Sequence, residues 1–255
     1  LQNTLASLAK NPATDLEQFL VIVVVNQSDA APEQQRACNL TDLDWLKQTS
    51  RCTDLRLAWV DAATPGRMLP PRDSGVGLAR KIGLDLALTR LDWSKAPLLV
   101  CLDADTLVES NYLAAIQQHF ATSSAGAATL AFRHQPAENP RQQVAIDRYE
   151  LFIRSYALGL CAAGSPYGFT AVGSAMACRA DTYIRCGGMN RRRAGEDFYF
   201  LQQAVKTDGV ATLGGTCVSP SSRLSERTPF GTGRNLALQL ENSSGLLFDP
   251  VETFQ

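Results

Sequence analysis

Three largely apolar runs of strand length lie in about the first hundred residues, and each stops at a polar side chain: residues 19–25 at Asn26, 55–60 (broken only by Arg56) at Asp61, and 98–102 at Asp103. The first is almost wholly β-branched, which suits a strand covered on both faces, as in a parallel sheet. Between the first two, Ala37, Leu40, Leu43, Trp45 and Leu46 form a rough helical stripe over residues 32–48, with Pro32 suited to a first helical turn. Pro65, Gly66, Pro70 and Pro71 then impose an irregular loop. Ser74 is placed to cap a second helix reaching about Arg90, with Val76, Ala79, Ile82, Gly83 and Leu86 on one face. The order β-α-β-α-β predicts an α/β fold whose ligand sits beyond the carboxyl ends of the strands. Asn26, Asp61 and Asp103 therefore mark one candidate pocket.

Asp103 and Asp105 are two residues apart, so in an extended chain they project the same way. Two adjacent carboxylates repel unless a metal or a basic group neutralises them, and a hard divalent ion that also holds phosphate needs only one or two. The alternative is capping of the following turn and of a helix near Ser110.

A net charge of −1 over 255 residues argues against a nucleic-acid-coating protein, and 45% hydrophobic residues suffice for a packed core. Seven cysteines without CxxC pairs read as reduced thiols, most of them core filler, in a cytoplasmic protein. Only His119 and His134 are available as histidines, so a general base is expected to be a carboxylate unless one of these two serves. No signal-peptide pattern is read at the start. Residues 155–178 lack charge over a membrane-spanning length, but their glycines and Pro166 point instead to buried backbone lining a site. A single domain over 1–255 is expected.

Further on, a helix near residues 111–120, a strand at 127–132 and a long helix at about 143–160 are predicted, the last with Asp147, Arg148, Glu150 and Arg154 as a solvated face. A short strand within 173–179, a brief helix and the Gly187-Gly188 turn follow. Arg191, Arg192 and Arg193 precede Glu196 and Asp197, which open a helix bearing Phe198, Leu201, Ala204 and Val205. Carboxylates suit a helix N-terminus on electrostatic grounds alone. The arginines suit a phosphorylated ligand or a solvated surface. After a last strand at 213–218, a glycine- and threonine-rich stretch with Arg223, Arg227 and Arg234 fits either a loop that closes over phosphates or a surface loop.

Taken in order, Asp61, Ala79-Arg80, the DxD of Asp103-Ala104-Asp105, Gly173 to Arg179, Gly187-Gly188 and Gly195-Glu196-Asp197 resemble the family-2 type of GT-A glycosyltransferase over residues 19–233. The resemblance implies a Rossmann-like three-layer α/β/α fold with a mostly parallel central sheet. It also implies a nucleotide-binding half at about 19–105 and an acceptor half at about 106–235. It assigns Asn26, Asp61, Arg80, Asp103, Arg193 and Arg227 to a UDP- or GDP-sugar. Asp105 with Asp103 would hold Mg²⁺ or Mn²⁺, Asp197 would act as general base in an inverting transfer, and Glu196 would position the acceptor. That acceptor would be a carbohydrate or lipid-linked glycan, and peripheral contact with a membrane stays open.

Many relatives carry a metal-binding histidine near the 220–234 stretch, and this chain has none there. It also lacks the QxxRW sequence of processive synthases, which favours single additions. Two alternatives stand beside this reading: a haloacid-dehalogenase-like phosphatase using Asp103 and Asp105, and a non-catalytic nucleotide-sugar-binding relative. Gly75-Val76-Gly77 lacks the third glycine of a dinucleotide fingerprint.

Overall fold

The computed structural model describes residues 1–50, 53–72, 74–223 and 253. Strands β1 (Val21–Asn26) and β2 (Leu57–Ala62) pair in parallel, from Val21 opposite Leu57 to Asn26 opposite Ala62, and helix α3 (Glu33–Thr49) is their crossover. Helix α4 (Val76–Leu88) and a 3₁₀ turn (Trp93–Lys95) lead to β3 (Leu98–Cys101). The expected helices and strands of this half are present. Their ends shift by at most two residues, and Asp61 lies inside β2 instead of after it.

Strand β3 does not join β1 or β2 by backbone pairing. It edges a five-stranded sheet ordered β3-β6-β5-β7-β4, with β4 at Leu107–Val108, β5 at Ala127–Phe132, β6 at Met176–Arg179 and β7 at Val210–Ser219. The long registers are parallel, β1 with β2 and β5 with β7; β6 runs antiparallel to both its neighbours, and β4 to β7. Met176, Ala177 and Cys178 are all buried, which explains why so short a strand takes an interior place.

Alternation along the strands divides the core in two. Ala128, Leu130 and Ala177 pack with Tyr112, Ile116, Leu43 and Leu46 on one face, beneath α5 (Tyr112–Thr122). Ala127, Met176 and Cys178 pack with Tyr183, Phe200 and Leu201 on the other, beneath α7 (Ala180–Arg185) and α8 (Glu196–Thr207). This period of two is what a sheet covered on both sides requires. The first core also takes in Leu5, Leu8 and Leu16 from α1 (Gln2–Leu8) and α2 (Ala13–Leu16), two helices that precede the first expected element.

Several expectations are corrected. Ser74 caps nothing: Gly75 is the N-cap of α4, and the Ser74 hydroxyl donates to the Pro71 carbonyl at 3.1 Å. Residues 155–162 are the end of the long helix α6 (Pro140–Ala162), with Tyr156 and Leu158 exposed, and only residues 171–174 of the uncharged stretch line the cleft described below. Of the cysteines described, Cys101 and Cys178 alone are buried, so thiols as general core filler does not hold.

Nor is α6 a uniformly solvated charged face, because Glu150 is buried. Its Oε1 accepts the His134 backbone N–H at 2.7 Å and lies 2.8 Å from His134 Nδ1, while Oε2 meets Arg154 at 2.9 Å. Arg154 in turn donates to the Phe132 carbonyl, which ties α6 to the end of β5. Burial pushes the His134 imidazole below its ordinary value in spite of Glu150. A histidine held neutral in the fold must charge on unfolding, so stability is full above the unfolded value near 6.5 and falls as pH drops towards the lower folded value. His134→Asn should flatten that part of a melting-temperature profile between pH 5 and 7.

Candidate active site

The site is assembled where the start of α4 meets the loop that carries the three arginines. A Cβ on Gly77 would lie 2.3 Å from the Arg192 carbonyl oxygen, and one on Gly75 2.6 Å from the Arg193 Cα. Both positions therefore need glycine, and their bareness lets residues 192–193 lie directly on the helix. One turn along α4, Arg80 points inward with its guanidinium under Gly173, where a Cβ would come within 2.3 Å of Nη2. Arg80 pairs through Nη2 with Asp103 and through Nη1 with Glu196. Burial works against the Arg80 charge, but the carboxylates of Asp103 and Asp197 outweigh it and hold the group above its ordinary value. One buried cation thus joins the first acid of the DxD to the acid beside Asp197.

Glu196 is the first residue of α8 and follows Gly195, which has φ +72°. Asn190 donates to its carbonyl at 2.9 Å, so the loop closes on the helix start. The neighbouring Asp197 accepts the Phe198 N–H at 2.8 Å and faces the same space.

The DxD departs from the extended geometry read from its spacing. Strand β3 ends at Cys101, and a turn follows in which the Thr106 N–H donates to the Asp103 carbonyl at 3.1 Å. The two carboxylates consequently have separate partners. Asp103 takes Arg80, and Asp105 Oδ2 takes Nε and Nη2 of Arg223, at 2.8 and 2.6 Å.

A cleft of about 2630 Å³ runs along this assembly. Asn26, Arg80, Asp103 and Asp105 line it from the amino-terminal half; Arg193, Glu196 and Asp197 line it from the other. Asn26 is oriented by donating to the Ser74 carbonyl at 3.3 Å. Asp61 is not brought to the cleft. Its Oδ1 accepts the N–H groups of Ala63 and Thr64, at 3.1 and 2.9 Å, and its Oδ2 meets Arg67. That carboxylate closes a turn at the end of β2. Burial opposes its ionisation, but the hydrogen bonds from Thr64 and Ala63, with Arg67, hold it below the ordinary carboxylate value. Arg227 lies outside the described residues, as does the rest of the stretch from 224 to 234.

Residues the sequence reading missed hold the DxD turn by its carbonyls. The Thr4 hydroxyl donates to the Ala104 carbonyl at 2.9 Å, and Gln135 Nε2 donates to the carbonyls of Asp105 and Ser219, at 2.7 and 2.8 Å. Ser7 Oγ accepts the Val108 N–H just beyond. Leu1, Leu5 and Leu8, spaced as one helical face, were the available signal for α1. Thr4→Val keeps the shape and removes the donor. It should cost about 1 kcal/mol by denaturant unfolding, the typical net worth of one hydrogen bond, with Thr4→Ser close to wild type.

Among the described residues, no three of His, Cys, Asp and Glu come together to enclose a metal ion. Asp103 and Asp105 are each partly exposed, and Asp105 commits only Oδ2 to a protein partner. Two hard oxygen donors, with coordination left for phosphate and water, fit the way Mg²⁺ or Mn²⁺ is ordinarily shared between protein and substrate.

Among solved structures, the chain resembles S. aureus TarS 1-349 in complex with UDP-GlcNAc, with a TM-score of 0.56 and 14% identity over 89% of this chain and 56% of that one. It likewise resembles the same protein in complex with UDP, with a TM-score of 0.51 and 14% identity over 86% of this chain and 56% of that one. The chain spans about half the length of these structures. No family model and no curated protein matches it in sequence. The chain shares the GT-A type of α/β fold with these structures. Among the described residues no helix is long and apolar enough to cross a membrane.

Proposed function

We propose that this chain is a glycosyltransferase that moves a sugar from a nucleoside diphosphate sugar, with UDP the favoured carrier, to an acceptor hydroxyl with inversion. The observation that carries the reading is Arg80, whose one guanidinium holds Asp103 and Glu196 at a single cleft. A donor-side acid and an acceptor-side acid are thereby kept together. The UDP and UDP-GlcNAc named with the TarS structures support the choice of carrier.

In this reading Asn26 and Asp103 receive the nucleoside, and Arg193 and Arg223 offer cations to the diphosphate. Asp197 accepts the acceptor's hydroxyl proton as that oxygen bonds to the sugar's anomeric carbon and the bond from carbon to diphosphate oxygen breaks. Glu196, committed to Arg80, fixes where Asp197 stands. A divalent ion held by Asp105, with Asp103, would supply Lewis-acid stabilisation of the departing diphosphate. The proposal extends to one catalytic domain, single sugar additions, a carbohydrate or lipid-linked glycan as acceptor and a cytoplasmic location.

Binding to the folded state alone raises apparent stability, by about 2.7 kcal/mol at a ligand concentration one hundred times Kd. Melting the protein with UDP, GDP or ADP, with and without Mn²⁺, should show the largest rise for UDP with Mn²⁺. No rise with any nucleotide would overturn the reading. Binding without turnover of any UDP-sugar would leave a nucleotide-sugar-binding protein in its place.

A further inference from the structure

We infer that Arg223 occupies the cation site at Asp105 until a diphosphate arrives, and then exchanges partners, releasing Asp105 to the divalent ion and turning its own guanidinium to the phosphates. This rests on the reading of the cleft as a nucleoside diphosphate site and adds an order of events to it.

The placement of Arg223 is built by the fold. The Gln135 N–H donates to the Pro220 carbonyl at 2.9 Å, Ser222 Oγ donates to the Pro136 carbonyl at 3.1 Å, and Gln142 Nε2 donates to the Ser222 carbonyl at 2.6 Å. The Arg223 N–H adds a bond to Ser221 Oγ at 3.2 Å. Gln135 also fastens the Asp105 carbonyl to the Ser219 carbonyl, so acid and arginine are carried by backbones tied at one point. Both Arg223 donors converge on a single oxygen, Oδ2 of Asp105.

Placement is firm, yet the pair itself is easily exchanged. The Arg223 side chain is 51% exposed and that of Asp105 35%, which puts the contact in a high-dielectric setting where ion pairs are weak. Arg80, at 10% exposure with two acids on it, is not exchangeable in this way. A guanidinium on Asp105 lowers the site's attraction for a second cation. A diphosphate reverses the balance, because its oxygens serve both the divalent ion and a two-pronged arginine.

The test is the binding of Mn²⁺ alone, followed by the electron paramagnetic resonance of the free ion, in the wild type, Arg223→Ala, Arg223→Lys and Asp105→Asn/Arg223→Ala. Removing a unit charge from beside the site should tighten Mn²⁺ binding at least about five-fold in Arg223→Ala, by the Coulomb energy of two charges ~4 Å apart in water. The lysine variant should fall between, and Asp105→Asn should abolish the gain. UDP binding without metal should weaken about ten-fold in Arg223→Ala, as loss of a charge-assisted hydrogen bond implies. A structural role for Arg223 would loosen metal binding or leave it unchanged, and either result overturns the inference. Failure of UDP to bind the wild type would instead remove the nucleotide reading, while the Mn²⁺ series would still report whether Arg223 blocks Asp105.

Discussion

Replacing Arg80 with methionine is expected to destabilise the protein by about 3–5 kcal/mol, the usual consequence of removing one partner from a buried ion pair. Its guanidinium is almost wholly enclosed and Glu196 more so, at 4% side-chain exposure, so the acid would be left without a counter-charge in a place water hardly reaches. Methionine fills much of the same volume, which confines the loss to electrostatics. Adding Glu196→Gln should recover a large part of the stability, since the orphaned charge is then gone. It should not recover nucleotide binding, because Asp103 would still lack its partner and the two halves of the cleft their link. Urea unfolding of the single and double variants separates these effects. If Arg80→Met unfolded at the wild-type midpoint, the buried bridge would not be part of what holds the fold.

Asp197→Asn should lower turnover by about 10²- to 10⁴-fold, the range ascribed to a positioned general base, while UDP affinity stays within about two-fold of wild type. Asparagine has almost the same shape and still offers an oxygen to the Phe198 N–H. The start of α8 is anchored independently by Asn190 and by the pairing of Glu196 with Arg80. A loss confined to turnover would therefore belong to proton transfer. Unimpaired turnover would remove Asp197 as the base, and a parallel loss of UDP affinity would move it to the donor side. Steady-state kinetics beside calorimetric UDP titration distinguish the three.

Much of this arrangement was legible in the chain because its signals are local. Residues 127–132 form a strand with the expected bounds, a short run of small and apolar side chains set between more polar segments. Arg80, Asp103, Asp105, Glu196 and Asp197 were legible as charges at strand and helix ends. What escaped depends on distance along the sequence. That β3 would pair with β6 and not with β1 is set by which buried strand fits beside it, and no local pattern states that. Asp61 looked like Asp103 in sequence, yet two backbone N–H groups and Arg67 claim it. The hydroxyl of Thr4 lies about a hundred residues from the carbonyl it supports, and only the packing of α1 on the DxD turn brings them together. Glu150 likewise reads as one of several surface charges until the His134 and Arg154 contacts bury it.

A crystal structure of the protein with UDP and Mn²⁺ tests the central arrangement most directly. The expected density places the diphosphate between Asp105 and Arg223, the uracil towards Asn26, and Asp197 across open space from the terminal phosphate. A nucleotide bound elsewhere, or Asp197 screened from the phosphate by protein, would contradict it.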